Sequence, residues 1–297
     1  MARTFKLVAL IMLSLMIAGS IYFVVGTEKP VRIRVTTTTS LYATGLLEHL
    51  AAEYKKLNGD VEIDFIAVGS GEALRRAERG DACMVFTHAP NLEKEYYEKG
   101  VIVDKRIFAY NYFIIVGPEN DPAGIRGSSS AVEAFKKIYA AGESGVVKFI
   151  SRGDNSGTHA REIMIWNMAG LDPRGRDWYL ESGQGMSQTL VMASQLQAYT
   201  LSDSGTYLKL HREGTLPGLA VLYSNSTELI NIYSIYIVDS CTGEERKVAE
   251  DFADFVYRSQ DIIGGYGISE YGEPLFYPAE DMGERLENIW RQLADIA

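Results

Sequence analysis

Histidine, cysteine and tryptophan are scarce in this chain, with four, two and three copies among 297 residues. Each scarcity narrows the possible functions. His49, His88, His159 and His211 are scattered without HExxH or comparable ligand spacing, so no metal centre is expected. Two cysteines cannot make a disulfide-dense scaffold. Cys83 lies in an apolar, strand-like run and Cys241 in the turn-like DSCTG. An exported protein is able to join them, but their separation in space cannot be read from the sequence. Positive charge is also short. Lys and Arg number 29 against 39 Asp and Glu, a formal net charge of -10, which argues against binding nucleic acid or anionic membranes through bulk charge. There is no GxSxG elbow and no Walker-type phosphate loop. Ser156 and His159 sit three residues apart on one helix, a poor arrangement for a nucleophile and its base. Catalysis is not expected, and neither low-complexity segments nor internal repeats are present.

What is present begins at the N-terminus. Arg3 and Lys6 precede Leu7 to Val25, 19 residues without a charge, followed by the polar exit Gly26 to Lys29. This pattern over residues 1–30 describes a secretory signal or an N-terminal membrane anchor. No small-residue cleavage site stands out, so cleavage and retention are both open. No Cys follows the run, so a lipoprotein anchor is not supported. The folded part is expected outside the cytoplasmic membrane.

After Pro30, strand and helix patterns alternate, which argues for an α/β architecture with mostly parallel sheets. Val31 to Val35 and Val61 to Val68 read as strands, and Leu41 to Asn58 as one helix by its apolar period. Ala82 to Phe86 and Ile107 to Val116 read as strands. A helix over Ala131 to Ala141 is expected to stop at Gly142. Val146 to Ile150, Leu219 to Tyr223 and Ile230 to Val238 are further strands, and Glu244 to Arg258 and Glu284 to Leu293 are amphipathic helices. The length suits two lobes. Phe108 to Gly117 and Ala220 to Ser226 look like crossings between them. The expected division is 31–112 for the first part of lobe 1, 113–222 for lobe 2, and 223–297 for the return to lobe 1 with the C-terminal helices. Two crossings make a hinge suited to closing on a ligand.

Three loops carry the chemistry. TTTTS (Thr36 to Ser40), GSG (Gly69 to Gly71) and SRGDNSGTH (Ser151 to His159) each follow a strand and open a helix. Free N–H groups at a helix start favour an anion, small residues let it approach the backbone, and hydroxyls add neutral donors. Thr39 or Ser40 is placed to cap the first helix and Ser70 the second. Arg152 adds a planar, permanently charged fork suited to an oxyanion, with Asp154 placed to pin it. Ser156 and Thr158 open the third helix. His88 and His159 flank these loops as candidates to orient donors. Tyr199 and the segment Ser202 to Thr206 are candidates for the wall of the second lobe. His49 and His211 read as solvated helix residues.

The pair TTTTS and SRGDNSGTH resembles the tungstate-binding (TupA-type) proteins of ABC importers. DACMVFTHAP, GQGM and YTLSDSGTYL extend the likeness over residues 31–265. The Arg-Gly-Asp-x-Ser-Gly-Thr element is also similar to that of periplasmic phosphate-binding proteins. The resemblance implies a two-lobed type II periplasmic-binding-protein fold with the ligand cleft between the lobes. It implies that Thr38, Thr39, Ser40, Ser70, Arg152, Ser156 and Thr158 touch the ligand, that no cofactor is required, and that the partners are a membrane permease and its ATPase. A monomer is expected. Phosphate near neutral pH keeps a proton and benefits from a carboxylate acceptor, whereas tungstate and molybdate offer acceptors only. TTTTS and GSG hold no carboxylate, and Glu72 beside them is expected to face away. The preferred ligand is therefore tungstate or molybdate. The alternative is a phosphate- or sulfate-binding protein; sulfate satisfies the same donor logic.

Overall fold

β1 (Val31–Thr38) runs parallel to β2 (Val61–Val68) along its whole length, with Val31 opposite Val61 and Thr38 opposite Val68. The threonine run is thus the buried end of a strand rather than a loop. The computed structural model describes residues 30–295 other than Asn225, so Leu7 to Val25 and the signal or anchor reading lie outside the described residues. Between β1 and β2 the expected single helix is two, α1 (Thr39–Ala43) and α2 (Leu46–Leu57). Gly45 separates them in the left-handed region at φ 81, and a Cβ there would stand 2.7 Å from the Tyr266 hydroxyl. The apolar period continues across the break because both helices cover the same core.

α3 (Ser70–Glu78), β3 (Met84–Thr87) and α4 (Pro90–Glu98) follow, with β3 parallel to β1. β4 (Ile102–Pro118) is a single long strand. Next come α5 (Ala131–Glu143), β5 (Phe149–Ser151), α6 (Gly157–Ala169), β6 (Tyr179–Glu181) and α7 (Met186–Leu196). Then come β7 (Thr200–Asp203), α8 (Ser204–Arg212), β8 (Leu219–Tyr223) and β9 (Ile230–Val238). The chain ends with α9 (Gly243–Arg258), α10 (Gln260–Gly265), α11 (Ile268–Tyr271), β10 (Tyr277–Pro278) and α12 (Glu284–Ala294). α5 does not stop at Gly142 but runs through it. A Cβ on Gly142 would stand 2.4 Å from the Trp178 ring, so this glycine serves close packing rather than termination.

β4 organises the molecule by changing partners midway. From Ile102 to Tyr112 it pairs antiparallel with β9, and from Phe113 to Pro118 it pairs antiparallel with β7 and β8. β3 joins β9 antiparallel, while β5 and β6 form a separate parallel pair. Ile33, Val35, Leu47, Phe86 and Phe252 belong to one buried core around β1, β3 and α9. Beyond Tyr112 the alternation of β4 feeds two more cores on opposite faces. Phe113 and Ile115 pack with Phe135, Phe149 and Trp166, and Ile114 and Val116 pack with Leu190 and Tyr207. α12 reaches both regions: Trp290 Nε1 donates to Glu93 of α4 at 2.7 Å, and Leu286, Ile289 and Leu293 join the core of Phe113. Cys83 and Cys241, just outside the neighbouring strands β3 and β9, form a disulfide with Cα atoms 5.0 Å apart. Among the described residues no helix is long and apolar enough to cross a membrane.

Candidate functional site

The C-terminal ends of β1, β2 and β3 lie side by side, and each delivers a polar residue there. At the end of β1, Thr38 is the cap: its Oγ1 accepts from Leu41 N at 3.3 Å. This shifts the cap one residue before the expected Thr39 or Ser40. Thr38 and Ser40 are buried, with their hydroxyls 3.5 Å apart, whereas Thr39 is exposed. Two residues beyond Val68, the partner of Thr38, comes Ser70. It opens α3 from inside, because Gly69 holds the cap position without a side-chain bond. Ser70 is fully buried, and its Oγ has no hydrogen-bond partner among the described residues. Glu72 turns away to Arg75, Arg76 and Arg79.

His88 follows β3 and is 2% exposed. Its Nδ1 lies 2.8 Å from Asn231 Oδ1. Asn231 Nδ2 donates to Asn111 Oδ1 at 2.9 Å and to Tyr233 OH at 2.7 Å, which orients the amide and assigns the proton to His88 Nδ1. Nε2 is then a bare acceptor facing Ser40 Oγ at 3.4 Å. Burial pushes the imidazole down to about 4, and the nearby charges of Arg152 and Arg161 add to this against the opposing Asn231 contact. The ring is neutral across the physiological range and stacks against Tyr233 and, at longer range, Phe113.

The third loop arrives from the other side. Arg152, immediately after β5, is 3% exposed, and its Nη2 is bound to Asp154 Oδ2. Its Nε is buried without a hydrogen-bond partner among the described residues. Gly153 turns the chain at φ 62, where a Cβ would stand 2.8 Å from Glu181. Ser156 caps α6: its Oγ accepts from His159 N at 3.3 Å, and its own N donates to Asp154 Oδ1 at 3.1 Å. Thr158, in the first turn, is 1% exposed, and its Oγ1 has no hydrogen-bond partner among the described residues. His159 Nδ1 accepts from Asn155 N at 3.0 Å; it fastens the loop, and burial pushes its pKa down, partly offset by Asp154 and Glu181. Gly157 lies directly against the His88 ring, so His88 is the point at which the first and third loops meet.

Tyr199 is not part of this wall. Its hydroxyl donates to Asp121 Oδ1 at 2.7 Å and accepts from Ala123 N, deep in the core of Phe113. Asp203, within the expected wall segment, caps α8 and accepts from both the N and the hydroxyl of Thr206. Burial pushes its pKa up, against the bonds from Thr206 and the charge of Arg152. Sequence reasoning passed over Asn111, Asn231 and Arg161. The asparagines carry no local signal, since Asn231 and His88 are joined only by tertiary pairing. Arg161 follows Thr158 by three residues on one helix, a spacing that puts both on one face. Hydroxyl, amide and guanidinium donors thus collect on loops that meet at His88, and the acids beside them, Asp154 and Asp203, already accept from neighbours.

A family profile described as the PBP superfamily domain matches residues 25–260. The chain is 37% identical over 252 residues to the tungstate-binding protein TupA of Peptoclostridium acidaminophilum, covering 83% of this chain and 85% of that protein. The solved structure of the tungstate-binding protein TupA from Desulfovibrio alaskensis G20 superposes with a TM-score of 0.72 at 35% identity, covering 84% of this chain and 98% of that one. The structure of the tungstate ABC transporter protein from Geobacter sulfurreducens superposes with a TM-score of 0.63 at 39% identity, covering 81% of this chain and 97% of that one.

Proposed function

The chain belongs to the PBP superfamily, and from that premise we propose that it is the solute-binding protein of an ABC importer, capturing a tetrahedral oxyanion, tungstate or molybdate, between two lobes. One observation carries this reading. Ser70 Oγ, Arg152 Nε and Thr158 Oγ1 are buried and have no hydrogen-bond partner among the described residues. A buried donor without an acceptor is destabilising, and an ion made of acceptor oxygens satisfies all three. Thr38, Ser40 and Ser156 stand beside them, and the backbone N–H groups opening α3 and α6 add donors suited to an anion. Thr39, exposed, is the member of the expected set with the weakest claim.

The acids near Arg152 favour a fully ionised ligand. Asp154 is engaged by Arg152 and Ser156 N, and Asp203 by Thr206. Both carboxylates already hold donors of the protein, which leaves them less capacity to take the proton of hydrogen phosphate. Sulfate meets the same donors, so its rejection rests on cavity size.

β4 and the return from β8 to β9 are the two crossings about which the lobes would close, and the loaded protein would deliver its ion to a permease driven by an ATPase. It would work as a monomer outside the cytoplasmic membrane, with residues 1–30 as its export signal or anchor. The test is thermal melting with each ion in turn. Tungstate or molybdate at a thousandfold excess over its dissociation constant adds about 4 kcal/mol to stability, whereas phosphate leaves the midpoint unmoved. Stabilisation by phosphate alone would reverse the assignment.

A further inference from the structure

Arg161 lies on α6 and is 5% exposed. Its Nη1 donates to the backbone carbonyl of Glu228 at 2.6 Å, and its guanidinium carbon lies 5.2 Å from the centre of the Phe113 ring. Among the described residues no carboxylate forms an ion pair with it. The acid acting on it is Glu228, and that attraction only partly offsets burial. Arg152 is different: Asp154 sits on its fork and cancels much of its charge. A buried cation without an ion-pair partner in contact is costly and calls for an explanation.

The surroundings supply one. Arg161 follows Thr158 by three residues on the same helix, so both occupy one face. It borders a cavity of about 20 Å³, shared with His88, Gly157 and Ala160, which is room for about one water molecule. Arg161 and His88 line this cavity together and both lie against the Phe113 ring, and His88 touches Ser40 and Gly157 of the two donor loops. Asp154, paired with Arg152, offsets part of the positive charge of the donor loops. Among the described residues Arg161 is a second buried cation on the helix that Thr158 opens.

We infer that Arg161 is the charge-selecting residue of the anion site: it acts through space, without contacting the ion, to favour oxyanions with two negative charges over those with one. This rests on the oxyanion-binding function proposed above. It also gives α6 a double task, with hydroxyl and amide donors at its first turn and the balancing cation one turn further in.

The experiment compares tungstate with perrhenate, tetrahedral oxyanions of similar size carrying two charges and one, on the full-length chain. Arg161→Gln should weaken tungstate binding about tenfold or more beyond any change for perrhenate, since a lost charge acts in proportion to ligand charge. Arg161→Lys keeps the charge and should hold the tungstate-to-perrhenate ratio within about threefold of wild type. Equal losses for both ions in Arg161→Gln would mark the residue as a strut for the Glu228 segment and overturn the inference. Should Arg161→Gln fail to fold, the Arg161→Lys ratio decides, and a collapse of that ratio overturns the inference. A wild-type chain that binds neither ion contradicts the oxyanion function itself, an outcome distinct from any result for Arg161.

Discussion

The ring of His88 lies so close to Gly157 that a methyl group on Gly157 would stand 2.8 Å from Cε1 and 2.9 Å from Nε2. The ring is held in place, because Asn231 binds Nδ1 and Tyr233 and Phe113 pack against it. Absence of a side chain at 157 is therefore what lets the first and third loops meet. Gly157→Ala should weaken tungstate binding by about 1–3 kcal/mol, the usual penalty for overpacking, measured by titration. His88→Ala in the same chain should recover part of that loss. Wild-type affinity in Gly157→Ala would show that the two loops do not need this contact.

Ser70 and Thr158 make a sharper prediction because stability and binding should move apart. Their hydroxyls are buried and without partners among the described residues, so removing them relieves a desolvated polar group. Ser70→Ala and Thr158→Val should leave ligand-free melting unchanged or raised, yet each should weaken tungstate binding by about 1–3 kcal/mol. Arg152→Ala should weaken it by about 2–5 kcal/mol, and Arg152→Lys should recover only part of that, since a point charge does not replace a fork. A parallel fall in stability and affinity for Ser70→Ala would assign that hydroxyl to the fold instead.

How much of this was legible follows from the range of each signal. Val61 to Val68, Leu219 to Tyr223 and Ile230 to Val238 are strands over the residues their apolar runs mark, because burial writes itself into local pattern. The donor loops were legible for the same reason, since strand end, small residue and helix start are contiguous. Gly142 misled because a glycine demanded by Trp178, 36 positions away, looks like one that ends a helix. Thr36 to Thr38 misled because threonine suits a strand as well as a turn. The Asn231 contact to His88 and the Cys83–Cys241 bond join residues 143 and 158 positions apart, and no local pattern reports such pairs.

Two buried groups should give the stability opposite pH dependences. Burial pushes Glu162 up to about 7, against the hydrogen bonds from Tyr179 and Trp166. Between about 4.3, its unfolded value, and about 7, folded Glu162 holds a proton the unfolded chain has released. Its contribution is therefore complete below that window and lost as pH rises through it. His88 is reversed. Its folded value of about 4 lies below the unfolded 6.5, so its contribution is complete above 6.5 and lost as pH falls toward 4. Melting of ligand-free protein from pH 5 to pH 8 should show Glu162→Gln gaining on wild type as pH rises, and His88→Gln gaining as pH falls. Parallel curves would refute the assignment of these groups.

The disulfide lies beyond the ends of β3 and β9, away from the donor loops. Closing so long a loop constrains the unfolded chain by about 4–5 kcal/mol in the entropic account, within a measured range of about 0–5. Replacing both cysteines with serine should lower the melting temperature and leave tungstate affinity within about threefold of wild type. A large loss of affinity would show that the bond shapes the site.

The most direct test is titration calorimetry of the full-length chain with tungstate, molybdate, sulfate and phosphate at pH 6.5 and pH 8. A site of donors whose acids already accept from neighbours should bind tungstate or molybdate tightly, phosphate weakly, and should change little between the two pH values. Tight phosphate binding that falls as pH rises, with no heat from tungstate or molybdate, would contradict the account.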